Sequence, residues 1–405
     1  GCRRCNALDH PAAGAVWFIL PAEAADTAVS RGSIQWRKSM STVYFADFRC
    51  SSRANIFSKT KKLFNKAGFG ERIAAKDFVA IKTHFGEYGN LAFVPAPVLR
   101  TLVELVRERG GRPFITDTNT LYRGSRSNAV DHLENAVRNG FLMETAGAPV
   151  IIADGLRGDD YASVAVKSKH FSEIKIASAI HGADAVLVVS HVKGHELYGF
   201  GGAIKNVAMG CAPPSGKQML HSDMKPKVLV EKCTSCGMCV RRCPADAIRF
   251  DENKKANIDQ DACISCGECT VICAYEAIPV IWTTDHRPLH EKTAEYVKGI
   301  VDTKPGRWMY INYVMNVSPQ CDCYYWNDAP IVPNIGILAS TDPVAIDRAS
   351  AELINRAAPL PGSKIAGRDE SKDNLRALYD LPWEYQLEYA SEIGLGENGF
   401  DLVEI

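Results

Sequence analysis

From Ser41 onward the apolar positions fall into short runs separated by longer amphipathic ones. Ser41-Thr42-Val43-Tyr44-Phe45-Ala46 reads as a first strand, and Phe78-Val79-Ala80-Ile81-Lys82-Thr83 as a buried one. Near Pro95 or Pro97 the period changes. Val98, Leu99, Leu102, Val103, Leu105 and Val106 form one wide apolar face, the signature of a helix packed on a core. Proline suits the first turn, where its missing N–H would be unpaired anyway, and Gly110-Gly111 should end the helix. Further strands are expected at Phe114–Thr116, Val150–Ala153, Ala185–Val189, Met309–Val314 and Ile335–Ala339. Further helices are expected over Leu133–Phe141 and from Pro343. Strand, helix, strand in this rhythm predicts an α/β fold, a mainly parallel sheet covered on both faces.

The rhythm breaks near Pro226 and returns after Asp285, and the interval holds an internal repeat with a 30-residue shift. Cys233-Thr-Ser-Cys236-Gly-Met-Cys239-Val-Arg-Arg-Cys243 matches Cys263-Ile-Ser-Cys266-Gly-Glu-Cys269-Thr-Val-Ile-Cys273, and the match runs on into Ala247-Ile248 and Ala277-Ile278. The expected organisation is an α/β domain over 40–225 and 286–405, with an inserted α+β ferredoxin-like module at 226–285. Residues 1–39, which imitate the basic, apolar and small-residue parts of an export signal, are read as a non-native or disordered leader.

Cys-x2-Cys-x2-Cys-x3-Cys given twice is the bacterial ferredoxin spacing, in which the fourth cysteine serves the other cluster. Three close thiolates wrap one face of an iron–sulfur cube, and a distant fourth closes it. One 4Fe-4S cluster would thus use Cys233, Cys236, Cys239 and Cys273, and the other Cys263, Cys266, Cys269 and Cys243. Pro244 follows the first run as expected, whereas Ala274 replaces proline after the second. Zinc needs no run of four, and disulfides between such near cysteines would be strained. Of the 14 cysteines, Cys321 and Cys323 also stand out, one residue apart in an aromatic loop. Two such thiols can chelate a soft metal or act as a redox pair.

Open parallel sheets bind ligands beyond the carboxyl ends of their strands. His84, Asp117, Asp154, His191 and Asp342 follow predicted strands, with Asp342-Pro343 also reading as a helix cap. The densest stretch runs from His191, Lys193, His195 and Glu196 through Gly199, Gly201, Gly202, Lys205 and Asn206 to Lys217 and His221. The glycines would let backbone N–H groups approach an anion, and Lys205 on the following helix would neutralise it. His195 and Lys205 are the candidate catalytic groups. Gly199, Gly201, Gly202, Lys205 and His221 are the candidates for holding a further anion or metal cofactor. Lys193 and Glu196 are expected at the surface of the loop, and His132 on the exposed face of its helix.

At Val79–Asn90, Pro113–Asp131, Val150–Arg157, Ser190–Cys211, the two cysteine runs and Asp342–Asp347 the chain resembles the iron–sulfur branch of the domain-of-unknown-function 362 family. That resemblance implies a 2[4Fe-4S] module set in an α/β protein, and no established reaction. Gly199–His221 also resembles, more distantly, the glycine–lysine segment of the nickel-pincer lactate racemase family. There a lysine anchors the cofactor, a downstream histidine binds nickel and an upstream histidine moves a proton. Lys205, His221 and His195 fall in those places.

Lysine plus arginine (47) equals aspartate plus glutamate (47), so no basic field favours nucleic acid. The longest nearly uncharged stretch, Pro11 to Ala25, is too short to span a membrane. The cysteine usage suits a reducing, cytoplasmic setting. The expected function is an iron–sulfur oxidoreductase fed by a redox partner protein and acting on a small molecule. The alternative is an electron-transfer or cofactor-handling protein whose chemistry occurs on a partner.

Overall fold

The computed structural model describes residues 40–122, 124–221, 225–263, 266–279, 286–369 and 371–405. The leader assigned to residues 1–39 lies outside the described residues. Among the described residues fourteen strands follow in chain order: β1 (Ser41–Asp47), β2 (Phe78–Lys82), β3 (Arg112–Asp117), β4 (Val150–Ile152), β5 (Tyr161–Ala165), β6 (Glu173–Ala177), β7 (Ala185–His191), β8 (Lys193–His195), β9 (Gly199–Gly201), β10 (Ile248–Phe250), β11 (Ala256–Ile258), β12 (Trp308–Val314), β13 (Gly336–Ser340) and β14 (Phe400–Glu404). Eight of them form one sheet, in the order β14-β1-β13-β12-β7-β2-β3-β4. Only β13 runs against its neighbours, so the sheet is mainly parallel, as the α/β rhythm of the chain requires.

Side chains alternate across a strand, and the two faces carry separate cores. Val186 and Val188 of β7 join one, with Phe114, Tyr310 and Leu338, under the helices Ala203–Gly210, His286–Asp302 and Pro343–Arg356. Ala185, Leu187 and Val189 join the other, with Ile81, Ile115 and Met309, under the helices Ile56–Lys66 and Ala96–Glu108. A strand buried on both faces has no polar position to spare, which is why β7 reads as an unbroken apolar run.

Two expectations are corrected. The helix placed over Leu133–Phe141 is Ala129–Arg138, because Asn128 caps it and Gly140 at φ 85° turns the chain away; Phe141 packs instead on Phe85, ring centroids 5.0 Å apart. His132 on that helix is fully buried, with no hydrogen-bond partner for either ring nitrogen, since the helix turns this face to Phe85. After Leu381 come the helix Glu384–Glu392 and then β14, which extends the sheet parallel to β1.

Residues 226–279 carry their own small hairpin, β10–β11, and a core of Ile248, Ala256, Ile258, Ala277 and Ile278 beside the cysteines. Too few apolar residues meet there to hold such a segment without further crosslinks.

Candidate functional site

Strands β3 and β4 step outward from β2 on one side, while β7 and β12 lie on the other. The connections from β2 therefore diverge, and a crevice opens beyond the carboxyl ends of β2, β3 and β7. A cavity of about 820 Å³ occupies it. His84, Asp117 and His191, three of the strand-end residues, line it; so do His195, Lys205 and His221. Asp342 does not, because β13 is antiparallel and its carboxyl end lies at the opposite edge. There Asp342 caps the helix Pro343–Arg356 by accepting from Val344 and Ala345. Asp154 is fully buried and accepts from the Asn119 backbone and side chain at 3.0 Å.

The glycine-rich turn does cradle an anion, but it is the protein's own. Ala203 and Ile204, at the start of the helix that carries Lys205, donate to the Asp347 carboxylate at 2.6 and 2.9 Å, and Asn312 adds a third bond at 2.8 Å. A Cβ on Gly202 would stand 2.3 Å from that carboxylate, so only glycine leaves room for it. Burial pushes the Asp347 acid up to about 6 against these hydrogen bonds. Gly199 and Gly201 lie on β9, paired with β8, away from the cavity lining. The N–H groups of Ala203 and Ile204 thus go to Asp347 rather than to an external ligand, and Gly199, Gly201 and Gly202 lie outside the cavity lining.

Lys205 itself faces the cavity, its Nζ 3.5 Å from Cys321 Sγ. Burial works against its charge, yet the Cys321 and Cys323 sulfurs hold its pKa above the ordinary lysine value. Reciprocally, a hydrogen bond from Cys323, the Lys205 charge and His195 hold the Cys321 thiol well below its usual range. His195 Nδ1 accepts from the Leu197 backbone at 3.1 Å, which leaves the other ring nitrogen as the donor toward Cys321. His221 lies against Met209 Sδ at 3.2 Å, and burial beside Lys205 and His195 drives it down to about 3.

His191 is an anchor rather than a cavity base. Its Nδ1 faces Asp322 at 2.9 Å and its Nε2 faces the Met315 carbonyl at 2.7 Å. Lys193, expected at the surface, is buried and paired with the same Asp322 at 2.9 Å. Glu196 is half-buried and accepts from Tyr324 at 2.8 Å.

The pattern missed a buried charge network on the opposite wall. Lys82 ends β2 and pairs with Asp117 at 3.1 Å, while Arg126 bridges Asp117 and Glu87 at 3.5 and 3.0 Å. Burial opposes the Asp117 charge, but Lys82 and its cationic neighbours hold the carboxyl below the normal range. A lysine closing an otherwise apolar strand was the available signal; Arg126, in a loop, offered none. In all, five cations (Lys82, Arg126, Lys193, Lys205 and Lys217) line the cavity against three carboxylates (Glu87, Asp117 and Glu196).

In the cysteine module, Cys233, Cys236, Cys239 and Cys273 line one small cavity. Cys273 of the second run thus sits with three cysteines of the first, and burial raises the Cys239 and Cys266 thiols, with Cys273 and Cys243 adding to the respective shifts. The second run packs on the α/β part. Glu268 accepts from Lys175 and Tyr161 at 2.7 and 2.8 Å, and Gly267 lies against Gln218 of the helix Pro214–His221. That same helix presents Lys217 and His221 to the large cavity. Among the described residues no three His, Cys, Asp or Glu side chains stand close enough to hold a single metal ion. The thiols around an iron–sulfur cube each bind a different iron and stand further apart. Among the described residues, too, no helix is long and apolar enough to cross a membrane.

Fold and site together define an α/β protein with a charged cavity beyond its parallel strands and a cysteine-rich module docked behind it. The chain belongs to the family described as Domain of unknown function (DUF362), whose match spans residues 79–352. Among solved structures it is similar to the lactate racemase apoprotein from Thermoanaerobacterium thermosaccharolyticum, at 10% identity and a TM-score of 0.41, over 79% of this chain and 58% of that one. A protein from Thermotoga maritima aligns at 12% identity and a TM-score of 0.38, over 74% of this chain and 57% of that one. The chain thus spans less than two thirds of either. No curated protein sequence matches it.

Proposed function

We propose that this protein is a two-cluster iron–sulfur oxidoreductase that acts on an anionic small molecule in the large cavity. Cys233, Cys236, Cys239 and Cys273 would hold one 4Fe-4S cluster, and Cys263, Cys266, Cys269 and Cys243 the other. When bound, such clusters supply electrons one at a time. The observation that carries the reading is the contact of Gly267 with Gln218. It sets the second cysteine run on the back of the very helix whose Lys217 and His221 line the cavity. A carrier that only served another protein would need neither that contact nor a cavity of ligand size.

The chain's own residues would divide the work. Lys82, Arg126 and Lys193 are already held by Asp117, Glu87 and Asp322, which leaves Lys205 and Lys217 to favour a carboxylate or phosphate ligand. Lys205 and His195 stand beside the Cys321 sulfur, where a proton or negative charge can be held. Met238, Phe250 and Tyr275, exposed around the first run, would meet a redox partner protein.

Protein isolated without oxygen should contain about eight iron and about eight acid-labile sulfide per chain, and dithionite-reduced protein should be reoxidised by its substrate. Zinc in place of iron would overturn the cluster reading. A full cluster complement with no ligand retained, and no anion able to bind, would turn the protein into the electron carrier of the alternative.

A further inference from the structure

The turn Cys321–Tyr324, closed by the Tyr324 N–H on the Cys321 carbonyl at 3.2 Å, turns both of its cysteines toward the cavity. Between them Asp322 points the other way and is tied to His191 and Lys193, each at 2.9 Å. That buried anchor leaves both cysteines on the cavity wall, where Cys323 helps hold the Cys321 thiol low. Lys205 Nζ and His195 complete the cluster around Cys321. Neither cysteine belongs to the two runs of four, and the large cavity is their route to solvent. We propose that Cys321 and Cys323 are a redox-active dithiol that reduces an anionic, low-molecular-weight disulfide bound in this cavity.

The chemistry balances on the chain's own atoms. The Cys321 thiolate attacks one sulfur of the bound disulfide, a mixed disulfide forms, and the other half leaves as a thiolate. The Cys323 thiol then attacks Cys321 Sγ, closing the Cys321–Cys323 bond. The second half leaves and takes up the Cys323 proton. One disulfide has been reduced by two electrons and one dithiol oxidised. Lys205 fits the first step, because an ammonium beside a sulfur favours the thiolate, which is the attacking form. A disulfide closing so small a ring is strained and readily reduced, the property of a catalytic rather than a structural bridge. With Lys82, Arg126 and Lys193 paired to Asp117, Glu87 and Asp322, Lys205 and Lys217 are the lining cations that favour a negatively charged partner. The return to the dithiol rests on the electron supply of the proposed function; this half-reaction does not.

The test uses full-length protein with Cys2, Cys5 and Cys50 changed to Ser, iron measured in every sample, and 5,5′-dithiobis(2-nitrobenzoate) as the disulfide. The expected result is release of two thionitrobenzoates from this pair, with the peptide holding Cys321 and Cys323 lighter by two hydrogens. Cys323→Ser should release one and trap the other on Cys321. Cys321→Ser should abolish the fast release, and Lys205→Met should slow it roughly tenfold or more. Cystamine, a cationic disulfide, should react at least about tenfold more slowly, with the gap narrowing in salt. Peptide mapping reads the pair whether or not iron is present, so missing clusters and an inert pair are separate results. Equal release from parent and Cys323→Ser with no trapped adduct would overturn the proposal. So would cystamine reacting as fast as the anionic probe.

Discussion

The two cysteine runs share one spacing and stand in opposite surroundings. Gly237 and Gly267 occupy equivalent places with nearly the same φ, 74° and 75°. The next residue is Met238 in the first run, 40% exposed, and Glu268 in the second, 5% exposed. Glu268 is held by Lys175 and Tyr161, and its neighbour Gly267 by the helix Pro214–His221. Equivalent positions in a repeat therefore do different work: one run faces outward and the other is seated behind the cavity. A repeat specifies its own local shape, whereas the use of each copy depends on what it packs against.

The largest expected effect tests the pairing across the repeat. On the proposed cluster assignment, Cys273→Ser should lose the outward cluster and Cys243→Ser the seated one, each leaving about four iron of eight. Iron analysis with paramagnetic resonance of the reduced protein tells them apart; loss of the same cluster in both would break the assignment.

Lys175→Met comes next. It leaves Glu268 buried without its lysine, beside Tyr161 and a 3.4 Å contact to Arg242, and should cost about 3 kcal/mol by chemical denaturation. Met238→Ala, at the equivalent place in the exposed run, should stay within about 0.5 kcal/mol. Equal losses would mean that the two surroundings do not differ in energy.

A smaller difference separates Gly237→Ala from Gly267→Ala. Both pay about 1 kcal/mol or more for a side chain at positive φ. The added Cβ at Gly267 also stands 2.3 Å from Gln218 Cγ, against a nearest approach of 3.2 Å, to Arg241, at Gly237. Gly267→Ala should be the worse by a further ~1–3 kcal/mol.

The smallest effect concerns acid. Residues 226–279 contain no histidine, so histidine-linked acid sensitivity belongs to the α/β part. Burial and the Arg126 charge drive His84 down to about 3, and burial drives His132 well below 6.5. Both stay neutral when folded but take up a proton near 6.5 when unfolded. Stability is therefore full above pH 6.5 and falls as the pH drops from 6.5 toward 3. His132→Leu should flatten that fall and leave stability at pH 7.5 within about 1 kcal/mol, because it removes two buried nitrogens that have no partner. A large loss at pH 7.5 would show that the ring has a role its surroundings do not reveal.

The strands were legible because burial on both faces leaves an apolar run that little else produces. The helix at Ala96–Glu108 was legible from its stripe and its prolines. The edge strand β14 was not, since Phe400–Glu404 is largely open and carries acids at two of its five positions. The cavity was half legible. His195, Lys205 and His221 lie within 27 residues and could be grouped by eye, whereas Cys321 meets Lys205 from 116 positions away. Arg126 left no periodic mark at all.

By itself, then, the sequence determined what depends on near neighbours: the alternation of strand and helix, the spacing of the cysteines, and the cap at Asp342-Pro343. Tertiary structure alone decided how the donors and charges are shared. It gave the N–H groups after Gly202 to Asp347 and turned His132 inward. It bound His191 to Asp322, set Cys321 beside Lys205, and faced one cysteine run outward and the other toward the cavity. The physical reason is that hydrogen-bond donors and buried charges must find partners wherever the packed chain brings them, and no local pattern records which distant residue arrives.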